Sequence, residues 1–276
     1  MNAVFIIIGK EVRDGLRNRW VLATALLLAM LALSLGFLGS SPTGAVKVDP
    51  LTVTVVSLSS LSIFLVPLIA MLLAYDAIVG EIDRGTMALL LSYPVSRWQI
   101  MVGKFVGHLV VLTVATTVGY GSAGIALQWV HGAPDPAAWQ AFAFLILASV
   151  LLGASFLAMG YMISAVVRER ATAAGIAIGV WLFFVVIYDM ALLGVLVADQ
   201  GRFITAGLLN KVLLFNPSDV YRLLNLTGYE NVSMFSGMAG LSGQTSLGMP
   251  LLVIAQLLWI VIPFSLAAAF FQRRQL

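Results

Sequence analysis

Cysteine is absent from the 276 residues, which excludes disulfides, thiolate nucleophiles and cysteine metal sites. Charge is scarce: 10% of the residues are Asp, Glu, Lys or Arg, against about 25% in a soluble domain. The two histidines, His108 and His131, are isolated from other ligand types, and His-Glu-x-x-His is missing. The run Gly119-Tyr120-Gly121-Ser122-Ala123-Gly124 fails the Gly-x-Ser-x-Gly pattern, because Tyr120 stands where the first glycine belongs. No phosphate-cradling Gly-x-x-x-x-Gly-Lys-Ser/Thr occurs, and Gly103-Lys104 is only a fragment of it. The chain therefore reads as neither an enzyme nor a nucleotide binder, with no catalytic residues, no metal and no cofactor of its own. No internal repeat is visible, which argues against an inverted-repeat transporter.

What remains is apolar. Hydrophobic residues make up 61% of the chain and the mean hydropathy is +1.03, values far above those of soluble domains. Six runs approach or exceed the ~20 residues needed to cross a bilayer: Trp20–Leu38, about Val55–Tyr75, Phe105–Val130, Ala138–Val167, Ala171–Val197 and Pro250–Phe271. Strand alternation is absent, and a backbone in lipid must satisfy itself, so the expectation is an all-α polytopic membrane protein with six transmembrane helices. The net charge of +3 is small and the basic residues flank the apolar runs, which marks topology rather than nucleic-acid binding. Eleven Lys and Arg fall on one side of the predicted spans and four on the other, predicting both termini inside. The basic N-terminal flank lacks a cleavage site, so the first span is expected to be retained.

Residues 5–19 are amphipathic at helical period, with Phe5, Ile8, Val12 and Leu16 on one face, as suits a helix lying on the membrane surface. Outside, the link 130–139 is short, whereas 199–249 is long. Within the long segment, Asn216-Pro217-Ser218-Asp219 reads as a helix entry with Ser218 as a candidate N-cap, and 233–249 reads as irregular. Its Met234, Met238 and Met249 are soft thioethers, but they lack a His or Cys beside them and read as packing residues. Asp189 is an intramembrane carboxylate and hence a candidate, either for a substrate path or dimer contact or for a hydrogen bond to a neighbouring helix. His108 reads as a hydrogen-bonded packing residue. Gly175-x-x-x-Gly179 is the recognisable small-residue pattern for close helix packing.

The densest polar stretch is 76–104, carrying Asp76, Glu81, Asp83, Arg84, Arg97 and Lys104 between two apolar runs. Gly85 and Pro94 should bound a short helix in it, able to seat in a groove of a soluble partner.

Glu81-x-x-Arg84-Gly85-Thr86, then Leu89-Leu90, Pro94-x-x-Arg97 and Gly103-Lys104, resembles the signature of ABC-2-type permeases. Lys10-Glu11-x-x-Asp14-x-x-Arg17-x-Arg19-Trp20 is likewise similar to that family's N-terminal connecting helix. The resemblance covers the whole chain as one permease domain, 1–276, of type V-like arrangement. It implies a coupling segment at 76–104 in which Glu81, Arg84, Gly85, Thr86, Pro94 and Arg97 meet a separate cytoplasmic ATPase holding ATP and magnesium. It also implies a connecting helix bearing Lys10, Glu11, Arg13 and Arg17, a homodimer, and placement in the bacterial inner membrane. The segment Asn216-Pro217-Ser218-Asp219-x-Tyr221-Arg222, the chain length and the lack of cysteine resemble the branch serving copper-site maturation of nitrous oxide reductase. That branch implies a periplasmic partner at Asn216, Pro217, Asp219, Tyr221 and Arg222. Exporters of an unrelated lipid or drug, and an ATP-independent scaffold, are the alternatives.

Overall fold

The computed structural model describes residues 3–17, 19–38, 50–132, 136–199, 205–228 and 247–274. The described residues form helices throughout: α1 (Ala3–Arg17), α2 (Arg19–Leu38), α3 (Pro50–Ala74), α4 (Val79–Asp83), α5 (Thr86–Leu91), α6 (Arg97–His131), α7 (Pro136–Val166), α8 (Arg170–Leu182), a π-helical turn (Phe183–Ile187), α9 (Tyr188–Asp199), α10 (Ala206–Leu213), α11 (Pro217–Gly228) and α12 (Met249–Arg273). Among the described residues, five stretches are long and apolar enough to cross a membrane: Thr54–Asp83, Arg97–Val130, Pro136–Val166, Arg170–Asp199 and Met249–Arg273. The bent pair Ala3–Arg17 with Val21–Phe37 supplies the sixth candidate. The third span starts at Arg97 rather than Phe105, because a capping box holds its first turn. There the Ser96 hydroxyl accepts from the Gln99 amide at 3.2 Å while the Gln99 side chain accepts from the Ser96 amide at 2.9 Å.

Helix α7 is the centre of the bundle, packed along α3 on one side and α12 on the other, while α6 carries α1 and α2. Lipid gives helices no hydrophobic reason to associate, so close van der Waals approach has to hold them. Glycines mark those approaches: a Cβ on Gly160 would meet the Ala74 Cβ at 2.5 Å, and one on Gly153 would meet Leu112 at 2.5 Å. Along α6, Gly103 faces Ile7, Gly107 faces Glu11 and Gly119 faces Leu28, so that α1 and α2 sit directly on its backbone. Gly175 and Gly179 have no such neighbour among the described residues. The expected Gly-x-x-x-Gly contact therefore does not occur among the described residues, where the rod α8–α9 lies at the periphery: 6% of its span is buried, against 67% for α7.

Candidate functional site

The chain's scarce charge converges at one end of the bundle, where the amphipathic α1, the start of α6 and the short helix α4 meet. Lys104, two turns inside α6, is 2% exposed. Its Nζ donates to Glu11 Oε1 of α1 at 2.8 Å and lies 2.7 Å from Glu81 Oε1 of α4. One ammonium thus bridges carboxylates from two segments distant in sequence. Lys10 supports the pair from the rim, 3.0 Å from Glu11, 3.6 Å from Glu81 and 3.5 Å from Asp14. His108 sits one turn beyond Lys104, with Nε2 3.4 Å from Glu11 Oε2 and Nδ1 2.8 Å from the Tyr161 hydroxyl of α7. Burial alone would raise the Glu11 pKa, but the hydrogen bond with His108 and the charge of Lys104 hold it well below the usual carboxylate range. Lys10 is pushed the opposite way: partial burial works against its charge, yet the adjacent Glu11 raises its pKa. Of the expected connecting-helix residues, Lys10 and Glu11 enter the junction, whereas Arg13 and Arg17 face outward.

Segment 76–104 is anchored from below and open above. Ser164 of α7 accepts from the backbone amides of Ile78 and Val79 at 2.9 and 3.1 Å, which fixes the start of α4. Gly85 then adopts φ +72° between α4 and α5, a left-handed conformation that a side chain would strain. Thr86 Oγ1 donates to the Glu81 carbonyl at 3.1 Å and closes the turn. In α5, Met87 is buried and Leu89 is exposed, as are Tyr93 and Pro94 in the turn that follows. Arg84 stands on the rim, 3.7 Å from Asp76, which also receives Arg170 at 2.8 Å. Arg97 turns inward: Nη1 donates to the carbonyls of Phe271, Gln272 and Arg274 at 2.9, 3.0 and 2.7 Å, capping the last helix. Arg274 in turn donates to the carbonyls of Ser164 and Ala165 at the end of α7. The ends of α7 and α12 and the start of α6 are thereby tied into one plate.

A second polar knot lies at the opposite end. Asp189 of α9 receives Arg222 Nη2 at 2.7 Å, and Arg222 Nη1 reaches Asp219 Oδ1 at 2.6 Å. The intramembrane carboxylate therefore has a local partner, from α11. Asn216 donates to Asp219 Oδ2 at 3.0 Å and to the Phe184 carbonyl of the π turn at 2.9 Å. Its Oδ1 accepts from the Ser218 amide at 3.0 Å, so Asn216 rather than Ser218 caps α11. The reason is register: Pro217 occupies the first helical position, where its missing N–H costs nothing. Tyr188 donates to the Val212 carbonyl at 2.7 Å and Trp259 to the Leu214 carbonyl at 3.1 Å, which pins α10 to α9 and α12. Burial pushes the Asp219 carboxyl up to about 7; Arg222 opposes this and the charge of Asp189 reinforces it. Tyr221 is fully buried, 3.2 Å from the Ser149 hydroxyl of α7. Asn216, Pro217, Asp219 and Tyr221 thus hold α11 to the spans and offer little surface themselves. Met234 and Met238 lie outside the described residues, as does the side chain of His131; Met249 Sδ accepts from Thr227 at 3.8 Å.

Among the described residues, an all-helical multi-pass bundle with a charged junction at one end and no catalytic or metal-ligand cluster has the form of a membrane transport subunit. The family model described as ABC-2 family transporter protein matches residues 5–276, and the chain belongs to that family. It is similar to two curated proteins described as "Probable ABC transporter permease protein NosY". One is from Stutzerimonas stutzeri, 45% identical over 275 residues and covering 99% of both chains. The other is from Pseudomonas aeruginosa, 44% identical over 275 residues with the same coverage. The chain is a permease subunit of an ABC transporter, the membrane component rather than the catalytic one.

Proposed function

We propose that this permease serves copper-site maturation of nitrous oxide reductase in the bacterial inner membrane. In this reading it works as a homodimer, with two copies of a NosF-like ATPase on the cytoplasmic side and a NosD-like protein on the periplasmic side. Its similarity to the two NosY proteins supports the assignment to that system. The observation that carries the mechanical reading is Lys104, shared at 2.8 and 2.7 Å between Glu11 of the connecting helix and Glu81 of the coupling segment. ATP and magnesium act on the ATPase. That subunit grips Leu89, Tyr93, Pro94 and Arg84, while Gly85 and Thr86 shape the turn and Glu81 and Arg97 carry its displacement inward. A push on 76–104 then cannot be absorbed locally, because Lys104 delivers it to α6 and α1 together and Arg97 delivers it to α12.

At the far end, the bonds from Asn216 to the π turn and from Arg222 to Asp189 pass the movement of α9 to α11. Segment 199–249 presents the result to the periplasmic protein, with Asn216, Pro217, Asp219, Tyr221 and Arg222 positioning that surface. The unpacked rod α8–α9, with Gly175 and Gly179 on it, is the face for the second copy. Force transmission rather than bulk passage of a copper or sulfur species is the favoured output. Joint reversal, Glu81→Lys with Arg84→Glu, tests the coupling reading: the ATPase should no longer co-purify and reductase maturation should stop. Persistence of both sinks that reading. ATP-dependent passage of a defined solute in sealed vesicles would instead make bulk transport the output.

A further inference from the structure

Between α1–α2 and α3, with α6 as its floor, lies a cavity of about 440 Å³, within the size range of small-molecule sites. Its polar end is lined by four carboxylates and four cationic side chains, all described above, so it carries no net charge apart from His108. Its other end is apolar, formed by Leu72, Leu73, Val111, Leu112 and Ala115. That wall runs out of the bundle, since Leu72 is 44% exposed. One group at the polar end is incompletely satisfied: Glu81 is 6% exposed, yet its Oε2 has no hydrogen-bond partner among the described residues. A buried carboxylate oxygen without a donor is costly, and the cations around it already have carboxylate partners.

We propose that this cavity holds the headgroup of one ethanolamine phospholipid per chain. A charge-balanced lining favours a zwitterion over an anionic headgroup. The unpartnered acceptor asks for an N–H donor, which a primary ammonium has and a choline lacks. The half-exposed Lys10 and Arg84 on the rim suit the phosphate. The apolar wall continuing onto the lipid-facing surface suits an acyl chain, which a free amine or phosphate would leave unused. With the sidedness proposed above, the lipid belongs to the inner leaflet. The site does not depend on the identity of the ATPase or of the periplasmic partner.

The test is native mass spectrometry of the full chain. It is taken from nanodiscs of equal parts phosphatidylethanolamine, phosphatidylcholine and phosphatidylglycerol, and washed in mild detergent. One phosphatidylethanolamine per chain should survive, enriched about tenfold over the other two, the scale of one charge-assisted hydrogen bond. Glu81→Gln should cut the enrichment to below about twofold, the discrimination left when the carboxylate is gone. Arg84→Gln should lower total lipid retained while leaving the ethanolamine preference. If Glu81→Gln does not yield folded protein, Ala115→Leu, which fills the apolar wall, should lower retention of every lipid. Equal retention of the three lipids by the wild type overturns the proposal, as does an undiminished preference in Glu81→Gln or full retention in Ala115→Leu. Displacement of the bound lipid by millimolar phosphoethanolamine or inorganic phosphate, without an acyl chain, also overturns it.

Discussion

Replacing Lys104 by Met should unseat the first helix and the short helix α4 together. The lysine is 2% exposed and lies 2.8 and 2.7 Å from two carboxylates that are themselves buried. At an effective dielectric near 20, each contact represents a gross attraction of about 6 kcal/mol. Most of that is offset by the cost of taking the three charges out of water. Removing one partner of such a group costs about 3–5 kcal/mol, because the charges left behind stay buried and unpaired. Lys10 remains 3.0 Å from Glu11 and 3.6 Å from Glu81, so the expected loss for Lys104→Met is at the lower end, about 3 kcal/mol. Denaturant unfolding of the full chain in detergent measures it. The decisive comparison is the double variant Lys104→Met with Glu81→Gln, which leaves Glu11 and Lys10 as a balanced pair. It should recover at least about half of the loss, since the penalty is an uncompensated charge rather than a cavity. A single variant within about 1 kcal/mol of wild type refutes the account, as does a double variant no better than the single.

Three further outcomes are expected. Gly107→Ala places a Cβ 2.5 Å from the Glu11 Cβ and should cost about 1–3 kcal/mol by lifting α1 off α6, read as increased proteolysis of residues 3–17. Arg97→Gln removes a guanidinium that satisfies three carbonyls at the end of α12; the expected cost is about 1–3 kcal/mol, with faster hydrogen exchange at 271–274. Asp219 binds a proton more tightly in the fold than its ordinary value of 3.8. Its contribution to stability is therefore full below that value and lost as pH rises to about 7. Unfolding midpoints of the wild type should fall across that interval and those of Asp219→Asn should not; parallel profiles would remove Asp219 from the explanation.

The spans were legible because their signal is local: long apolar runs with basic flanks are enough to set helices in a bilayer. The short helix between Gly85 and Pro94 was legible for the same reason, since both residues act on their own backbone. The junction was not, because it joins residues 93 apart, Glu11 and Lys104, and sequence shows no pairing between helices. One signal was available: Lys104 and His108 are i and i+4, two ionisable groups on one face of a mainly apolar helix, which asks for a polar partner. The cap that Arg97 makes on α12 left no such trace, because its acceptors are backbone carbonyls common to every residue type. The glycine pattern misled in an instructive way. Gly175-x-x-x-Gly179 and Gly103-x-x-x-Gly107 look alike on paper, but among the described residues only the second meets another helix.

The shared lysine also limits how this permease can be recombined with its relatives. Because Glu11 and Glu81, from two separate segments, share Lys104 from a third, the hairpin 76–96 is not a detachable cassette. A chimera that imports 76–96 from another permease inherits an α1 and an α6 built around the original carboxylate. Grafts that move all three segments together should assemble where hairpin swaps do not.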